Sequence, residues 1–120
     1  LITADGKEYP MAGAITGVCE KKERLIRFGY VTIEPEQGQE GLLRQGEQIR
    51  GHEFHYFDST NNVCDCIAGK PVGKRSWTCI HADRSHFIGF PHLYYPSCPD
   101  FVINFVEQCR NWNRKRKGAK

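Results

Sequence analysis

Ile49-Arg50-Gly51-His52-Glu53-Phe54-His55-Tyr56-Phe57 is the stretch on which the reading of this chain turns. It is rich in aromatic residues and free of proline, so it reads as a β-strand. A plain core strand would carry Val, Ile or Leu where this one carries two imidazoles and a carboxylate. Burying such groups without partners costs about 1–3 kcal/mol each. Strand alternation puts Gly51, Glu53 and His55 on one face, with Ile49 and Phe57 at its ends. Arg50, His52, Phe54 and Tyr56 take the other face. Glu53 and His55 are then neighbours roughly 7 Å apart along the strand. A carboxylate beside an imidazole fixes its tautomer and raises its pKa, so the pair is a candidate site or interface.

On the N-terminal side, Leu25 to Ile33 reads as a long strand with apolar residues on both faces, buried in a sheet. Tyr9 to Val18 reads as a short strand with close backbone approach at Gly13 and Gly17. Glu20 to Glu23 reads as a polar turn. Glu34 to Glu47, with Pro35, Gly38, Gly41 and Gly46, reads as a loop anchored by Leu42-Leu43. On the C-terminal side, Asp58 to Asn62 is a turn cluster. Val63 to Ala68 and Ser76 to Ile80 read as a hairpin around Gly69 to Lys74. His86 to Tyr95 is an apolar, aromatic strand. One helix is expected, starting at Ser97 or Cys98, with Pro99 and Asp100 in its first turn. Phe101, Phe105, Cys109 and Trp112, flanked by Val102 and Val106, form its apolar stripe.

The chain has 120 residues, enough for a single domain spanning 1–120 and not for two. Hydrophobic residues make up 39% and charged residues 26%, which places it among ordinary folded domains rather than disordered chains. No run of 18 apolar residues suits a membrane span, so no membrane partner is expected. Leu1 to Gly6 lacks the pattern of a signal peptide. A cytoplasmic location and six reduced cysteines are therefore expected. The net charge of +3 is concentrated in the tail 113–120, which contains Arg114-Lys115-Arg116-Lys117. Such a tail suits a helix C-terminus, and the expectation is no nucleic-acid partner. A basic-tailed nucleic-acid-binding domain is the alternative reading.

Further candidates stand beside the Glu53–His55 pair. His92 lies late in an aromatic strand, shortly before the helix, where strand ends feed catalytic loops. Cys98 lies near the helix start, which suits a thiol of lowered pKa. Cys64-Asp65-Cys66 and Cys79-Ile80-His81 could supply four zinc ligands. C-x-C is a poor chelating spacing, so no metal is the expectation and a zinc module of Cys64, Cys66, Cys79 and His81 is the alternative. No G-x-x-x-x-G-K-[ST] or G-x-G-x-x-G motif occurs, so no nucleotide site is expected in the chain.

Four segments together resemble one family. They are Tyr9-Pro10-Met11-Ala12-Gly13-Ala14, Arg24 to Val31, Arg50-Gly51-His52-Glu53-Phe54-His55-Tyr56, and His92-Leu93-Tyr94-Tyr95 followed by Pro99 and an amphipathic helix. In order and spacing they are similar to the C-terminal part of the class I glutamine amidotransferase domain of cobyrinic acid a,c-diamide synthases. The likeness spans most of Tyr9 to Cys109 and is weak from Asn61 to His86. It implies a strand-rich piece of an α/β, flavodoxin-like domain with a C-terminal helix. It implies glutamine as ammonia donor, with ATP and Mg²⁺ in an N-terminal domain and none here. There the carboxylates of cobyrinic acid, or of a related tetrapyrrole such as nickel sirohydrochlorin, become amides. His92 matches the family's catalytic histidine, and the family's nucleophilic cysteine lies upstream of Leu1. Tyr94 stands where many related amidotransferases have a Glu. His52, Glu53, His55 and Tyr94 are then residues of the site wall or a domain interface.

Overall fold

In a computed structural model, which describes residues 1–118, the chain is a small strand-rich α/β unit closed by one C-terminal helix. Its centre is a five-stranded sheet. The strands are β2 (Arg27–Pro35), β3 (Ile49–His55), β5 (Cys66–Gly69), β6 (Ser76–Cys79) and β9 (His92–Tyr94), in the order β6-β5-β2-β3-β9. Every pairing within it is antiparallel. Two short ribbons flank it: β1 (Cys19–Lys21) with β4 (Phe57–Ser59), and β7 (His81–Ala82) with β8 (Phe87–Ile88). A single 3-10 turn, Tyr95–Ser97, leads into α1 (Pro99–Gly118). The basic residues of 113–118 form the last turns of α1, where the helix dipole favours cations. Ala119 and Lys120 lie outside the described residues.

The sheet has one closed and one open face. β2 pairs with β3 from Arg27↔His55 to Ile33↔Ile49, so directly opposed residues share a face. The closed face carries Val31, Ile33, Ile49, Cys66, Ala68 and Cys79, covered by Leu42, Leu43, Ile80, Ala82, Cys98 and Phe101. The loop 36–48 is thus held by Leu42-Leu43, as its sequence suggests, and Asn104 Nδ2 of α1 donates to the Leu42 carbonyl at 3.0 Å. The open face carries Phe28 and Tyr30 from β2, Arg50, His52 and Phe54 from β3, and His92 and Tyr94 from β9.

Several expectations from the sequence are corrected. Tyr9 to Val18 forms no strand; Pro10 lacks a donor, and Gly13 sits at φ 71, a turn conformation. Glu20-Lys21 and Asp58-Ser59 are not turns but belong to the paired strands β1 and β4, with Glu20 opposite Asp58. Polar side chains hid this half-buried two-stranded ribbon, which lies outside the main sheet. β2 is central yet buried on one face only, since Phe28 and Tyr30 are 61% and 73% exposed. The helix stripe is covered only at its start. Phe101 and Asn104 are buried, while Phe105, Cys109 and Trp112 are exposed. Twenty residues of helix extend about 30 Å, farther than this small sheet reaches.

Gly51 explains why the β3 motif contains a glycine. Leu93 opposes it on β9, and a Cβ at Gly51 would meet the His92 carbonyl oxygen at 2.8 Å. That atom is backbone and cannot move aside without disturbing the β3–β9 pairing. Gly51→Ala is expected to cost about 1–3 kcal/mol in urea unfolding. Gly69→Ala, whose nearest neighbour would be at 3.9 Å, should cost much less. Equal losses would contradict the close approach of β3 and β9.

Candidate functional site

The polar residues of β3 part to opposite faces, as alternation requires. Glu53 and His55 enter a cavity of about 550 Å³ beneath the closed face. Arg27 arrives from β2, Trp77 and Cys79 from β6, and Phe90 from the segment after β8. Residues 9–15 close the far side. Two family-like segments, Tyr9 to Ala14 and Arg50 to Tyr56, therefore meet at one cavity although forty residues of chain separate their starts.

Glu53 is 2% exposed. Its Oε1 lies 3.7 Å from His55 Nε2, a loose contact. His55 Nδ1 is 2.7 Å from the Phe57 carbonyl oxygen. A carbonyl only accepts, so Nδ1 carries the proton and Nε2 of the neutral ring is left as a buried acceptor. The imidazole stacks on Phe90 with centroids 4.1 Å apart, which fixes its plane. Burial pushes the Glu53 carboxyl above its ordinary value, against the opposing pull of His55 and Arg27. Arg27 itself lies over the Trp77 ring at 4.8 Å.

Glu53 Oε2, His55 Nε2 and Trp77 Nε1 are buried and have no hydrogen-bond partner. All three belong to residues of this cavity. The three atoms lie within the wall of the cavity, so an acid, a lone-pair acceptor and an N–H donor stand buried beside one volume. Cavities of this size hold small ligands.

His92 lies on the other face. It opposes His52 across β3 and β9, and Tyr94 opposes Arg50. His92 and Tyr94 are exposed, and His52 packs edge-on between Phe28 and Tyr30 at 5.8 and 5.3 Å. Thus the sequence candidates do not form one cluster. Glu53 and His55 share the cavity; His52, His92 and Tyr94 share the open sheet face. Arg27, Trp77 and Phe90 were not singled out in the sequence, although Arg27 falls on the closed face by the same alternation as Val31 and Ile33.

The cobyrinate a,c-diamide synthase of Caldanaerobacter subterraneus subsp. tengcongensis is 28% identical over 113 residues, 92% of this chain and 25% of that protein. The protein of the same name from Listeria innocua is 32% identical over 104 residues, 82% of this chain and 23% of its own length. That from Priestia megaterium is 29% identical over 121 residues, covering 99% of this chain and 26% of its own. The chain is related to part of the cobyrinate a,c-diamide synthases. It spans about a quarter of their length. No family model matches it. No solved structure matches it either.

All six cysteines are free. Burial pushes the Cys66 and Cys79 thiols up to about 12, so neither is a ready thiolate. Burial also raises Cys19, and Cys98 is buried. The alternative zinc set of Cys64, Cys66, Cys79 and His81 is not assembled. Cys66 and Cys79 oppose each other in the sheet, but Cys64 is exposed before β5 and the His81 ring turns to Asp65 and Asp83. The cause is local: Ile80 adopts φ 64, which breaks the extended alternation that would have put Cys79 and His81 on one side.

The raised Glu53 carboxyl gives a signed pH effect. Its neutral form is favoured in the fold, so its contribution is fully present below its ordinary value near 4.5 and is lost as pH rises through the folded-state value. Glu53→Gln should therefore gain stability relative to the parent protein between about pH 5 and about pH 8, by on the order of 1 kcal/mol. Urea unfolding of both proteins across that range measures it. A pH-independent difference would contradict a buried ionisable Glu53.

Proposed function

We propose that this chain is the base-carrying part of a glutaminase that feeds ammonia to the amidation of cobyrinic acid or a related tetrapyrrole. The carrying observation is the placement of His92, the histidine matching the catalytic one of the resembled family. It stands exposed on an open aromatic sheet face, on the side of the sheet opposite Cys66 and Cys79, whose thiols burial has silenced.

The chemistry follows from that placement. His92 takes the proton of a cysteine thiol supplied from outside these residues, and the thiolate attacks the carboxamide carbon of glutamine. As the tetrahedral intermediate collapses, His92 returns the proton to the departing ammonia. Water then hydrolyses the thioester, with His92 again as base. Tyr94, two residues on and on the same face, has a phenol rather than the carboxylate of many related amidotransferases, which makes the pair a Cys–His dyad. The exposed Phe28, Tyr30, Phe54 and Tyr94 suit packing against the remaining part of a flavodoxin-like amidotransferase domain. Activation of the acceptor carboxylates by ATP and Mg²⁺ is the work of a separate synthetase domain; this chain has no phosphate loop to hold them.

Two assays test this reading. Glutamine hydrolysis should be undetectable for the 120-residue chain alone. In the complete enzyme, His92→Ala should lower glutaminase kcat by about 10²–10⁴-fold, while amidation driven by added ammonium salts persists. Glutamine hydrolysis by the isolated chain, or equal loss of both activities in the variant, would refute it.

A further inference from the structure

The β7–β8 hairpin packs Ala82 and Phe87 against the core of the closed face and carries a second constellation, His81-Ala82-Asp83-Arg84-Ser85-His86. We propose that His81, Asp83 and His86 bind one borderline divalent metal ion of the zinc, nickel or cobalt class, with Asp65 orienting His81. Nitrogen or oxygen atoms of the three residues lie within 4.8 Å of one another. Two imidazoles with one carboxylate suit these metals, and three protein ligands leave positions for water or a ligand.

The geometry assigns each atom a role. Asp83 uses one oxygen to build the turn. Its Oδ1 accepts from the Ser85 and His86 backbone N–H groups, both at 2.7 Å, and from Ser85 Oγ at 3.0 Å. The other oxygen, Oδ2, faces His81 Nε2 at 3.5 Å and His86 Nδ1 at 2.9 Å. His81 Nδ1 is 3.2 Å from Asp65 Oδ2, which is held in place by the Ala82 N–H at 2.9 Å. Both His81 nitrogens face carboxylates; in the neutral ring the shorter Asp65 contact takes the Nδ1 proton, which leaves the Nε2 lone pair turned toward Asp83 Oδ2. Two acceptors facing each other repel, and a cation between them turns that repulsion into attraction. A carboxylate behind a histidine, with the other ring nitrogen aimed forward, is the support that metal-bound imidazoles use. The 3.5 Å separation also fits two ligands on a tetrahedral ion with bonds of about 2.0–2.1 Å, which lie about 3.4 Å apart. The site shares only His81 with the cysteine-based set, and it stands or falls independently of the glutaminase reading.

Calorimetric titration of the chelator-treated chain with Ni²⁺ and Zn²⁺ tests the proposal. One equivalent should bind and raise the thermal midpoint. His86→Ala and Asp65→Asn should each weaken binding by about tenfold or more. His86→Gln keeps a hydrogen-bond donor for Asp83 and separates turn-building from ligation; it too should lose the metal. Cys64→Ser should bind as the parent does, and the Co²⁺ complex should lack thiolate charge-transfer absorption. No saturable binding, unchanged binding in both His86 variants, or binding lost in Cys64→Ser with thiolate absorption would each overturn the assignment.

Discussion

The register between β2 and β3 is the constraint on which the rest depends. Seven successive residue pairs, from Arg27↔His55 to Ile33↔Ile49, decide which side chains meet the core. A slip of one residue would exchange the faces, driving Phe54 and Arg50 inward and exposing Ile49 and Glu53. Ile33 and Ile49, both fully buried, oppose such a slip, and Gly51 fixes β9 against the same strand. His92 owes its position on the open face to this chain of pairings.

The same strand thus serves two different environments. Below the sheet, Glu53 and His55 carry a desolvation cost of roughly 1–3 kcal/mol for each unpartnered group. A cost of that size is tolerable only where the surrounding core is firm, and the Val31, Ile33, Leu43 and Ile49 cluster supplies that firmness next to the cavity. Above the sheet, aromatic rings worth about 150–250 Å² each remain in water. At about 25 cal/mol per Å², covering the exposed part of four of them would contribute on the order of 10 kcal/mol, comparable with the net stability of a single domain. The open face is therefore where further polypeptide would stabilise this chain most.

Much of this division was legible in the sequence, and the limits are physical. Alternation alone assigned Glu53 and His55 to one face and His52 to the other. The Leu42-Leu43 anchor, the β5–β6 hairpin and the helix start were equally plain. What failed were segments where period-2 reasoning does not apply. The Tyr9–Val18 run looks apolar but is governed by Pro10 and by glycine at positive φ. Ile80, a β-branched residue in the left-handed region, turned His81 away from Cys79 and toward two aspartates. The spacing of His81, Asp83 and His86 was visible, but only a tight turn brings them together. The helix stripe was read correctly as apolar, yet apolar character does not reveal whether a partner covers it.

The division of histidines between the faces can be measured directly. Diethyl pyrocarbonate acylates accessible neutral imidazoles, and mass spectrometry of peptides resolves each site. On the folded chain, His92 should react at least tenfold faster than His55, whose Nε2 is buried and whose ring is stacked on Phe90. Unfolding should equalise the two rates. If His55 reacts as fast as His92 in the folded protein, His55 is not buried beneath the sheet, and the two-faced account of the strand is wrong.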